Sequence, residues 1–384
     1  MTYHSSSFIK PYQQVLVLLK NKNIFGYCVG EVDKPSFDTL EIVEIEDFFL
    51  SQKQVQIAEF ISSYYFCSMG EALALFSPGC VIAKKELGND PLSEESNIKL
   101  SDKQTEAFSF LKKNPISLLF GDTGSGKTEI YMKYFEEVLF KGKRTIFLMP
   151  EISLTPQMQI RLEEHFGNAV VMWHSKLTKK QKEKNLEKIY DGSAKIIAGP
   201  RSALFLPVED LGLIVVDEEH DESYKASSRP RYHARDMAIY MGNVLKIPVL
   251  LGSATPSLSS YVKFPHCRLK GGHFQSSKRF IFEPHSEAIT PLIEQLVEKT
   301  VEAESQGMVF IPTRANFKYL ICDSCGFTYE CPYCSVGMSL HRYARAVKCH
   351  YCNYSEPIPQ VCPKCHSGNL TSSRLGTAEA VEHF

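Results

Sequence analysis

The ten residues FGDTGSGKTE, at positions 120–129, carry the spacing G-x-x-x-x-G-K-T. In a glycine-rich turn the backbone N–H groups can point inward around phosphate oxygens, and a helix that begins there adds a favourable dipole. A lysine at this spacing reaches the β- and γ-phosphates, and a threonine hydroxyl ligates Mg²⁺. This segment, called the phosphate loop below, predicts nucleotide binding by Gly121, Asp122, Thr123, Gly124, Ser125, Gly126, Lys127 and Thr128.

A second set of reactive side chains lies in LIVVDEEH, at 213–220. Four apolar residues predict a buried strand, and the strand ends in Asp217, Glu218, Glu219 and His220. Phosphoryl transfer needs one acid for the metal ion and another for the attacking water. We therefore predict Asp217 and Glu218 in these roles, with Lys127 as the third catalytic residue. His220 is predicted to sense the γ-phosphate side.

Eight cysteines form four C-x-x-C pairs between residues 322 and 365. Such pairs can be disulfides, iron–sulfur ligands or zinc ligands. The start, MTYHSSSFIK, shows no signal peptide, and the longest apolar runs are too short to cross a bilayer. We therefore expect a cytoplasmic protein without a membrane partner, in which disulfides are disfavoured. Eight thiolates suffice for two tetrahedral zinc sites, with iron–sulfur ligation as the alternative.

The spacing of the pairs suggests how the thiolates divide. The five residues between Cys325 and Cys331 leave little chain for two pairs to close on one ion, whereas the fourteen residues between Cys334 and Cys349 fit a two-knuckle ribbon. We therefore predict nested sites. The outer site is Cys322, Cys325, Cys362 and Cys365, and the inner site is Cys331, Cys334, Cys349 and Cys352. The other cysteines, Cys28, Cys67, Cys80 and Cys267, are expected to be small core residues.

The elements that position these groups follow from hydrophobic spacing. From residue 98 to about 270, the apolar runs ISLLF, TIFLM, AVVMW, KIIAG, LIVVD and PVLLG alternate with helical patterns, which predicts a parallel sheet flanked by helices. Residues 1–83 combine the β-type runs YCVGEV and LEIVEI with the helical pattern VQIAEFISSYYF, which favours a small α+β module. Residues 84–97 are polar and predict a linker. A helix near 290–304 and a strand, MVFIP, precede the cysteines.

The 384 residues are 43% hydrophobic with a net charge of −1, which is typical of a globular protein and requires any DNA-binding surface to be local. The segment YKASSRPRYHARD, at 224–236, offers such a surface, since cations alternate with aromatic rings before the first acid, Asp236. Cations neutralise phosphates and rings stack on bases, a combination suited to single strands. A solvated basic loop is the alternative.

The order GDTGSGKTE, MPEISLTPQ, GPRSALF, VVDEEHD, YHARD and LGSATP, followed by four cysteine pairs, resembles DEAH-type superfamily 2 helicases and, within them, the PriA family of replication restart helicases. The N-terminal block is similar to the family's 3′-end DNA-binding domain through FGYCVGEV and AEFISSYYF. The resemblance implies an ATP-dependent 3′-to-5′ DNA helicase that uses ATP and Mg²⁺, holds two Zn²⁺, and acts on single-stranded and forked DNA. The implied partners are primosome and replisome proteins and single-stranded-DNA-binding protein.

The resemblance also assigns residues outside the two ATP motifs. Gln104 would contact adenine, and segments 150–157 and 199–205, with Arg201, would line the DNA path. Ser253, Ala254 and Thr255, called the SAT turn below, would couple nucleotide state to DNA. A family loop that couples DNA binding to hydrolysis corresponds to Lys225, Arg229, Arg231, Tyr232, His233 and Arg235.

The expected fold class is α/β, with a P-loop RecA-like lobe. We expect an N-terminal DNA-binding module at 1–83, the linker at 84–97, helicase lobe 1 at 98–285 and the start of lobe 2 at 286–384, with a double zinc ribbon at 322–365. The linker stands where the family usually has a winged-helix domain. Because the rest of lobe 2 is expected beyond this sequence, we expect slow ATP hydrolysis by this chain alone. The alternatives are a non-unwinding, ATP-dependent DNA-binding assembly platform and a nucleic-acid-stimulated ATPase without fork specificity.

Overall fold

The computed structural model describes most of the chain, in two compact units, Met1–Ser276 and Ser277–Phe384. The described residues are 1–76, 98–150, 156–272, 279–282, 289–310, 317–334, 336–341, 344–366 and 369–375. The predicted linker and Cys80 lie outside them, and the predicted domain boundaries remain predictions.

The N-terminal module is built on strands β1 (Tyr3–His4), β2 (Gln13–Leu19), β3 (Lys22–Tyr27), β4 (Leu40–Glu41) and β5 (Glu44–Phe49). β2 is the centre of an antiparallel sheet between β3 and β5, while β1 pairs in parallel with β4. Helices α1 (Gln52–Tyr64) and α2 (Met69–Ala74) follow, and each begins with a serine capping box. The predicted α+β module is confirmed. The predicted strand YCVGEV is wrong beyond Tyr27, because its partner β2 begins at Gln13, opposite that end of β3.

A seven-stranded sheet forms the centre of the first unit, and every paired neighbour in it is parallel. Its strands are β6 (Ile116–Gly121), β7 (Arg144–Leu148), β8 (Val170–Met172), β9 (Ile196–Gly199), β10 (Leu211–Val216), β11 (Val249–Ser253) and β12 (His266–Leu269), in the order β12-β6-β11-β10-β7-β9-β8. All six predicted apolar runs contribute a strand, so the predicted parallel sheet is confirmed. β12 was not predicted.

Helices cover both faces of this sheet. They are α3 (Asp102–Lys113), α4 (Lys127–Phe140), α5 (Pro156–Phe166), α6 (Lys179–Tyr190), α7 (Ala234–Leu245) and α8 (Leu258–Lys263). Successive residues of a strand point to opposite faces, so Ile214 and Val216 of β10 belong to one hydrophobic core and Leu213 and Val215 to the other. The first core also contains residues of α1, α2, α6 and α7, and the second contains residues of α3, α4 and α5. The N-terminal module therefore shares a core with the lobe.

The second unit contains α9 (Pro291–Glu302) and a five-stranded antiparallel sheet in the order β16-β15-β14-β13-β17. Its strands are β13 (Phe317–Cys322), β14 (Ser339–His341), β15 (Ala346–Lys348), β16 (Ser355–Pro357) and β17 (Leu370–Leu375). The strand predicted at MVFIP is wrong over residues 308–310, whose side chains are exposed and which no described strand pairs with. Among the described helices, none has both the length and the apolar character needed to cross a membrane.

A candidate nucleotide site and two cysteine clusters

The phosphate loop connects the carboxyl end of β6 to the first residue of α4. Lys127 Nζ donates a hydrogen bond to the carbonyl oxygen of Gly121 at 3.0 Å, so the lysine folds back over the loop. Gly126, which precedes α4, has φ 84°, a left-handed conformation that favours glycine. No side chain caps α4, and the buried Ser125 hydroxyl has no hydrogen-bond partner among the described residues. Uncapped helical N–H groups and a free buried hydroxyl suit an anionic ligand.

Gln104 ties the start of α3 to the phosphate loop. Its side-chain oxygen accepts a hydrogen bond from the Ser101 N–H at 2.9 Å, and its Nε2 donates to the carbonyl oxygen of Gly126 at 3.2 Å. The contact is close enough that a Cβ atom on Gly126 would lie 2.3 Å from Gln104 Nε2. Gln104 therefore helps to fix the loop, and its contact with adenine remains a prediction.

Arg268 on β12 was not predicted as a functional residue. Its guanidinium pairs with the Asp122 carboxylate, donates to the carbonyl oxygen of Phe120 at 3.2 Å, and lies 3.8 Å from the centre of the Phe120 ring. Asp122 also accepts from the Gly271 N–H at 2.9 Å. That hydrogen bond and the arginine lower the pKa of Asp122. The end of β12 thus holds the first turn of the phosphate loop and balances its carboxylate charge.

Asp217 follows β10 and is enclosed by two tyrosines. The Tyr131 hydroxyl donates to Asp217 Oδ1 at 2.9 Å, and the Tyr224 hydroxyl donates to the Asp217 carbonyl oxygen at 2.6 Å. Burial, with a smaller contribution from Glu218, raises the pKa of Asp217 to about 6. Gly252 leaves room for this arrangement, since a Cβ atom there would lie 1.7 Å from the Tyr131 hydroxyl. Asp217 is thus a half-buried, oriented carboxylate at the edge where the phosphate loop also lies.

His220 joins the acidic run to the SAT turn. Its Nδ1 is 2.8 Å from Ser253 Oγ and its Nε2 is 3.3 Å from Thr255 Oγ1, while Ser253 Oγ accepts from the Thr255 N–H at 2.9 Å. Glu218 lies 3.6 Å from His220 and has a left-handed backbone, with φ 46°. Ala254 lies between the two hydroxyl residues and is partly buried. The structure therefore brings these two predicted motifs into direct contact.

Glu219 has no exposed surface and is held by α7 and α8. Its carboxylate accepts hydrogen bonds from the Ser257 N–H at 2.6 Å, the Ser257 hydroxyl at 3.0 Å, the Ser260 hydroxyl at 2.7 Å and Arg235 Nη1 at 2.9 Å. Arg235 also pairs with Asp236. The expectation that Arg235 contacts DNA has to be corrected, because its guanidinium is mostly buried and is used in this network.

The basic–aromatic segment forms a short hairpin, in which Lys225 and His233 form an antiparallel bridge. Lys225, Arg229 and Arg231 are exposed. Tyr232 is 5% exposed and packs edge-on against Phe205, and burial raises its pKa to about 12. Tyr224 is 1% exposed. The expectation that these tyrosines stack on bases is therefore corrected, because both rings belong to the core.

Two further predicted groups lie around the base of this hairpin. Arg201, at the start of a 3₁₀ turn, donates to the carbonyl oxygens of Ser223 at 2.7 Å and Lys225 at 3.3 Å, so it supports the hairpin. His233 is partly buried, and burial lowers its pKa. Of the segments predicted to line a DNA path, residues 151–155 lie outside the described residues.

The eight cysteines of the second unit form two groups of four. The outer group is Cys322, Cys325, Cys362 and Cys365, and the inner group is Cys331, Cys334, Cys349 and Cys352. Within each group the sulfur atoms all lie within 4.8 Å of one another, with contacts of 3.6 Å, 3.7 Å and 3.6 Å for Cys322–Cys365, Cys325–Cys362 and Cys331–Cys352. Zinc–sulfur bonds of about 2.3 Å place tetrahedral ligands about 3.8 Å apart. Both groups are consistent with zinc ribbons. Cys28, Cys67 and Cys267 are half-buried.

Comparison with known proteins gives matches along the chain. The DEAD/DEAH box helicase model matches residues 101–264, the 3′ DNA-binding domain (3′BD) model matches residues 2–78, and the model of the PriA DNA helicase Cys-rich region (CRR) domain matches residues 331–357. The replication restart protein PriA of Helicobacter pylori strain J99 is 44% identical over 387 residues, covering 100% of this chain and 62% of the relative. The chain belongs to the PriA family. The Bacillus subtilis strain 168 PriA is 36% identical over 332 residues, covering 78% of this chain and 40% of the relative.

The chain thus spans less than two thirds of the length of these PriA relatives. The PriA Cys-rich model, over 331–357, contains the whole inner cysteine group, and the outer group lies on both sides of it. Among solved structures, the DUF1998 helicase MrfA is similar over 58% of this chain and 38% of its own, with a TM-score of 0.43 and 18% identity. The similarity of the N-terminal block to a 3′-end DNA-binding domain is confirmed.

Proposed function

We propose that the chain is the nucleotide- and DNA-binding part of a helicase that recognises stalled replication forks, remodels them and helps to reload the replicative helicase. The observation that carries the proposal is the meeting of three motifs at one edge of the parallel sheet. The phosphate loop follows β6, the acidic run follows β10, and the SAT turn ends β11, which lies between those strands. In parallel sheets, ligands bind at the carboxyl ends of the strands.

ATP with Mg²⁺ is the proposed fuel. When bound, Mg²⁺ would neutralise negative charge that develops on the phosphates during transfer. Thr128 and Asp217 are the proposed residues that hold the ion, and Lys127 would exchange the Gly121 carbonyl oxygen for phosphate oxygens. Glu218 is proposed to orient the attacking water, since its side chain is 31% exposed and it directly follows Asp217 in the chain.

His220 is proposed to report the nucleotide state to the SAT turn, because its two ring nitrogens already contact Ser253 and Thr255. A change on the phosphate side of His220 would alter these hydrogen bonds. The exposed cations of the hairpin, Lys225, Arg229 and Arg231, are the proposed contacts to DNA phosphates.

Zinc is proposed in both cysteine groups. The sulfur–sulfur contacts of 3.6–3.7 Å fit four ligands around one ion. An iron–sulfur cluster needs more space, since its thiolates bind different iron atoms separated by bridging sulfides. Closed Cys₄ sites leave no coordination position for a substrate, so their proposed role is structural.

We further propose 3′-to-5′ unwinding of single-stranded and forked DNA. The proposed partners are primosome and replisome proteins and single-stranded-DNA-binding protein. The cytoplasm is the proposed location, because the proposed substrate is replicating DNA. The relatives named replication restart protein PriA and the matched 3′ DNA-binding domain support these points.

The first experiment tests nucleotide and DNA binding in the full chain. We expect Lys127→Ala to weaken binding of a fluorescent Mg-ATPγS by at least tenfold and to leave affinity for a single-stranded oligonucleotide within twofold, since Lys127 is proposed to contact only the nucleotide. Lys141→Ala, at the exposed far end of α4, is the matched control and should bind both ligands normally. An equal loss of nucleotide and DNA affinity in Lys127→Ala would contradict the assignment.

Anisotropy titrations with a three-way fork and with its separate strands test fork recognition. Tighter binding of the fork supports the proposal, whereas equal affinity favours an ATPase without fork specificity. Strand displacement from 3′- and 5′-tailed duplexes by a longer chain that includes the remaining length of the relatives tests unwinding and its direction. Fork binding with no displacement of either duplex would favour the assembly platform.

A further inference from the structure

The N-terminal module contacts the hairpin that follows the acidic run. Tyr65, directly after α1, accepts a hydrogen bond from the His233 backbone N–H at 3.3 Å. The Lys225 ammonium group lies 5.3 Å from the centre of the Tyr65 ring. Lys225 and His233 are the two residues that close the base of the hairpin. One tyrosine therefore touches both sides of that base.

A second contact fixes the same helix against α7. The Phe60 ring of α1 stacks on the Tyr240 ring of α7, with centres 3.7 Å apart and planes at 12°. Ala58 and Ile61 of α1 lie in the same buried core as Met237 and Met241 of α7. Because α7 begins at Ala234, the residue after His233, α1 holds both the base of the hairpin and the helix that follows it.

The first turn of α7 reaches the nucleotide motifs. Arg235 donates to the buried Glu219 at 2.9 Å and to the Ser257 hydroxyl at 3.0 Å. Glu219 stands between Glu218 and His220 in the chain. Only one residue separates His233, which Tyr65 contacts, from Arg235. The base of the hairpin is therefore connected to the acidic run through the backbone and a buried ion pair.

We propose that Tyr65 is a positioning residue through which the N-terminal module sets the coupling between nucleotide and DNA binding. The inference rests on the proposed function, since it assumes that the hairpin cations meet DNA. DNA phosphates that bind Arg229 and Arg231 displace the exposed tip of the hairpin. Because Tyr65 fixes the base of the hairpin, this displacement reaches Arg235 and Glu219. Without Tyr65 the base of the hairpin is free to move, and the displacement changes the hairpin alone without reaching Arg235.

The test measures coupling without hydrolysis, in the full chain. The dissociation constant of fluorescent Mg-ATPγS is determined with and without a saturating single-stranded oligonucleotide, and the ratio is the coupling factor, which is the same whichever ligand is added first. A factor of about fivefold or more is expected for the unaltered chain, in the usual range for linked sites. Tyr65→Ala should reduce it to below about twofold, with nucleotide affinity in the absence of DNA unchanged.

Tyr65→Phe removes only the hydroxyl and keeps the ring beside Lys225, so it keeps the test valid if Tyr65→Ala fails to fold. It should give an intermediate coupling factor. Tyr64→Phe, at the exposed neighbouring tyrosine, is the matched control and should keep the full factor. An unchanged factor in both Tyr65 variants would overturn the inference, and so would the absence of coupling in the unaltered chain. Failure of the proposed function is distinguishable, because the unaltered chain would then not bind nucleotide or DNA.

Discussion

Gly252→Ala is expected to lower stability strongly, because the added methyl group meets a side chain that has nowhere to move. The new Cβ would lie 1.7 Å from the Tyr131 hydroxyl and 2.8 Å from Tyr131 Cζ, and Tyr131 has no exposed surface. Overpacking of this kind costs about 1–3 kcal/mol. Displacing the hydroxyl of the buried Tyr131 also breaks its hydrogen bond to Asp217, which costs about 1–3 kcal/mol more. The free energy of unfolding should therefore fall by about 2–6 kcal/mol.

The assay is thermal unfolding followed by circular dichroism. For a unit of this size each kcal/mol lowers Tm by about 2–4 °C, so Gly252→Ala should melt at least about 4 °C below the unaltered chain. Gly70→Ala is the control, since a Cβ atom there meets no atom within 4 Å apart from its chain neighbours and the backbone of its own helix, and its Tm should not fall. Adding Tyr131→Phe to Gly252→Ala removes the closest atom and should recover part of the loss. A melting temperature for Gly252→Ala within 2 °C of the unaltered chain would refute the packing argument.

Three other predictions concern different parts of the molecule. Elemental analysis of the purified chain should find two zinc ions, and iron or about one zinc would contradict the two closed sites. Burial raises the pKa of Asp217 to about 6, above its pKa near 4 in the unfolded chain. The protonated carboxyl therefore contributes to the free energy of unfolding below about pH 4, and this contribution is lost as the pH rises through about 6. Without Mg²⁺, Asp217→Asn should therefore melt above the unaltered chain at pH 7.5 and by clearly less at pH 4.5, and no gain at pH 7.5 would contradict this. Arg268→Ala should weaken Mg-ATPγS binding several-fold, because it leaves the Asp122 charge unbalanced beside the phosphates. Adding Asp122→Asn to the same chain should restore part of the lost affinity. Equal affinity in all variants would exclude the positioning role of Arg268.

Local patterns predicted the sheet and the nucleotide motifs. The run ISLLF is followed directly by Gly121 and, six residues later, by Lys127, so strand, loop and helix could be predicted from one short stretch of consecutive residues. The strand LIVVD and the SAT turn were predictable for the same reason, since each apolar run ends directly at its polar residues. The grouping of the cysteines was predictable from the number of residues between neighbouring pairs, which can be counted in the sequence.

Contacts between distant segments explain what the sequence could not reveal. Arg268 meets Asp122 across 146 residues of chain, and the short run HCRL that carries it shows no clear period. Tyr232 looked available for stacking because its neighbours are basic, but its burial depends on Phe205 of another turn. Arg235 was assigned to DNA by charge, yet its partner Glu219 is delivered by the end of β10. Burial of a polar side chain is decided by such tertiary partners.

The nested arrangement of the cysteines has an architectural consequence. The outer group draws two cysteines from the end of β13 and two from just before β17, and these strands pair side by side, with Cys322 opposite Leu370. The polypeptide therefore enters and leaves the cysteine-rich segment at one place, while β14 of that segment pairs with β13 and extends the same sheet. A segment whose two ends lie side by side can be lengthened or shortened between β13 and β17 while those strands keep their pairing, because the distance between its ends does not depend on its length.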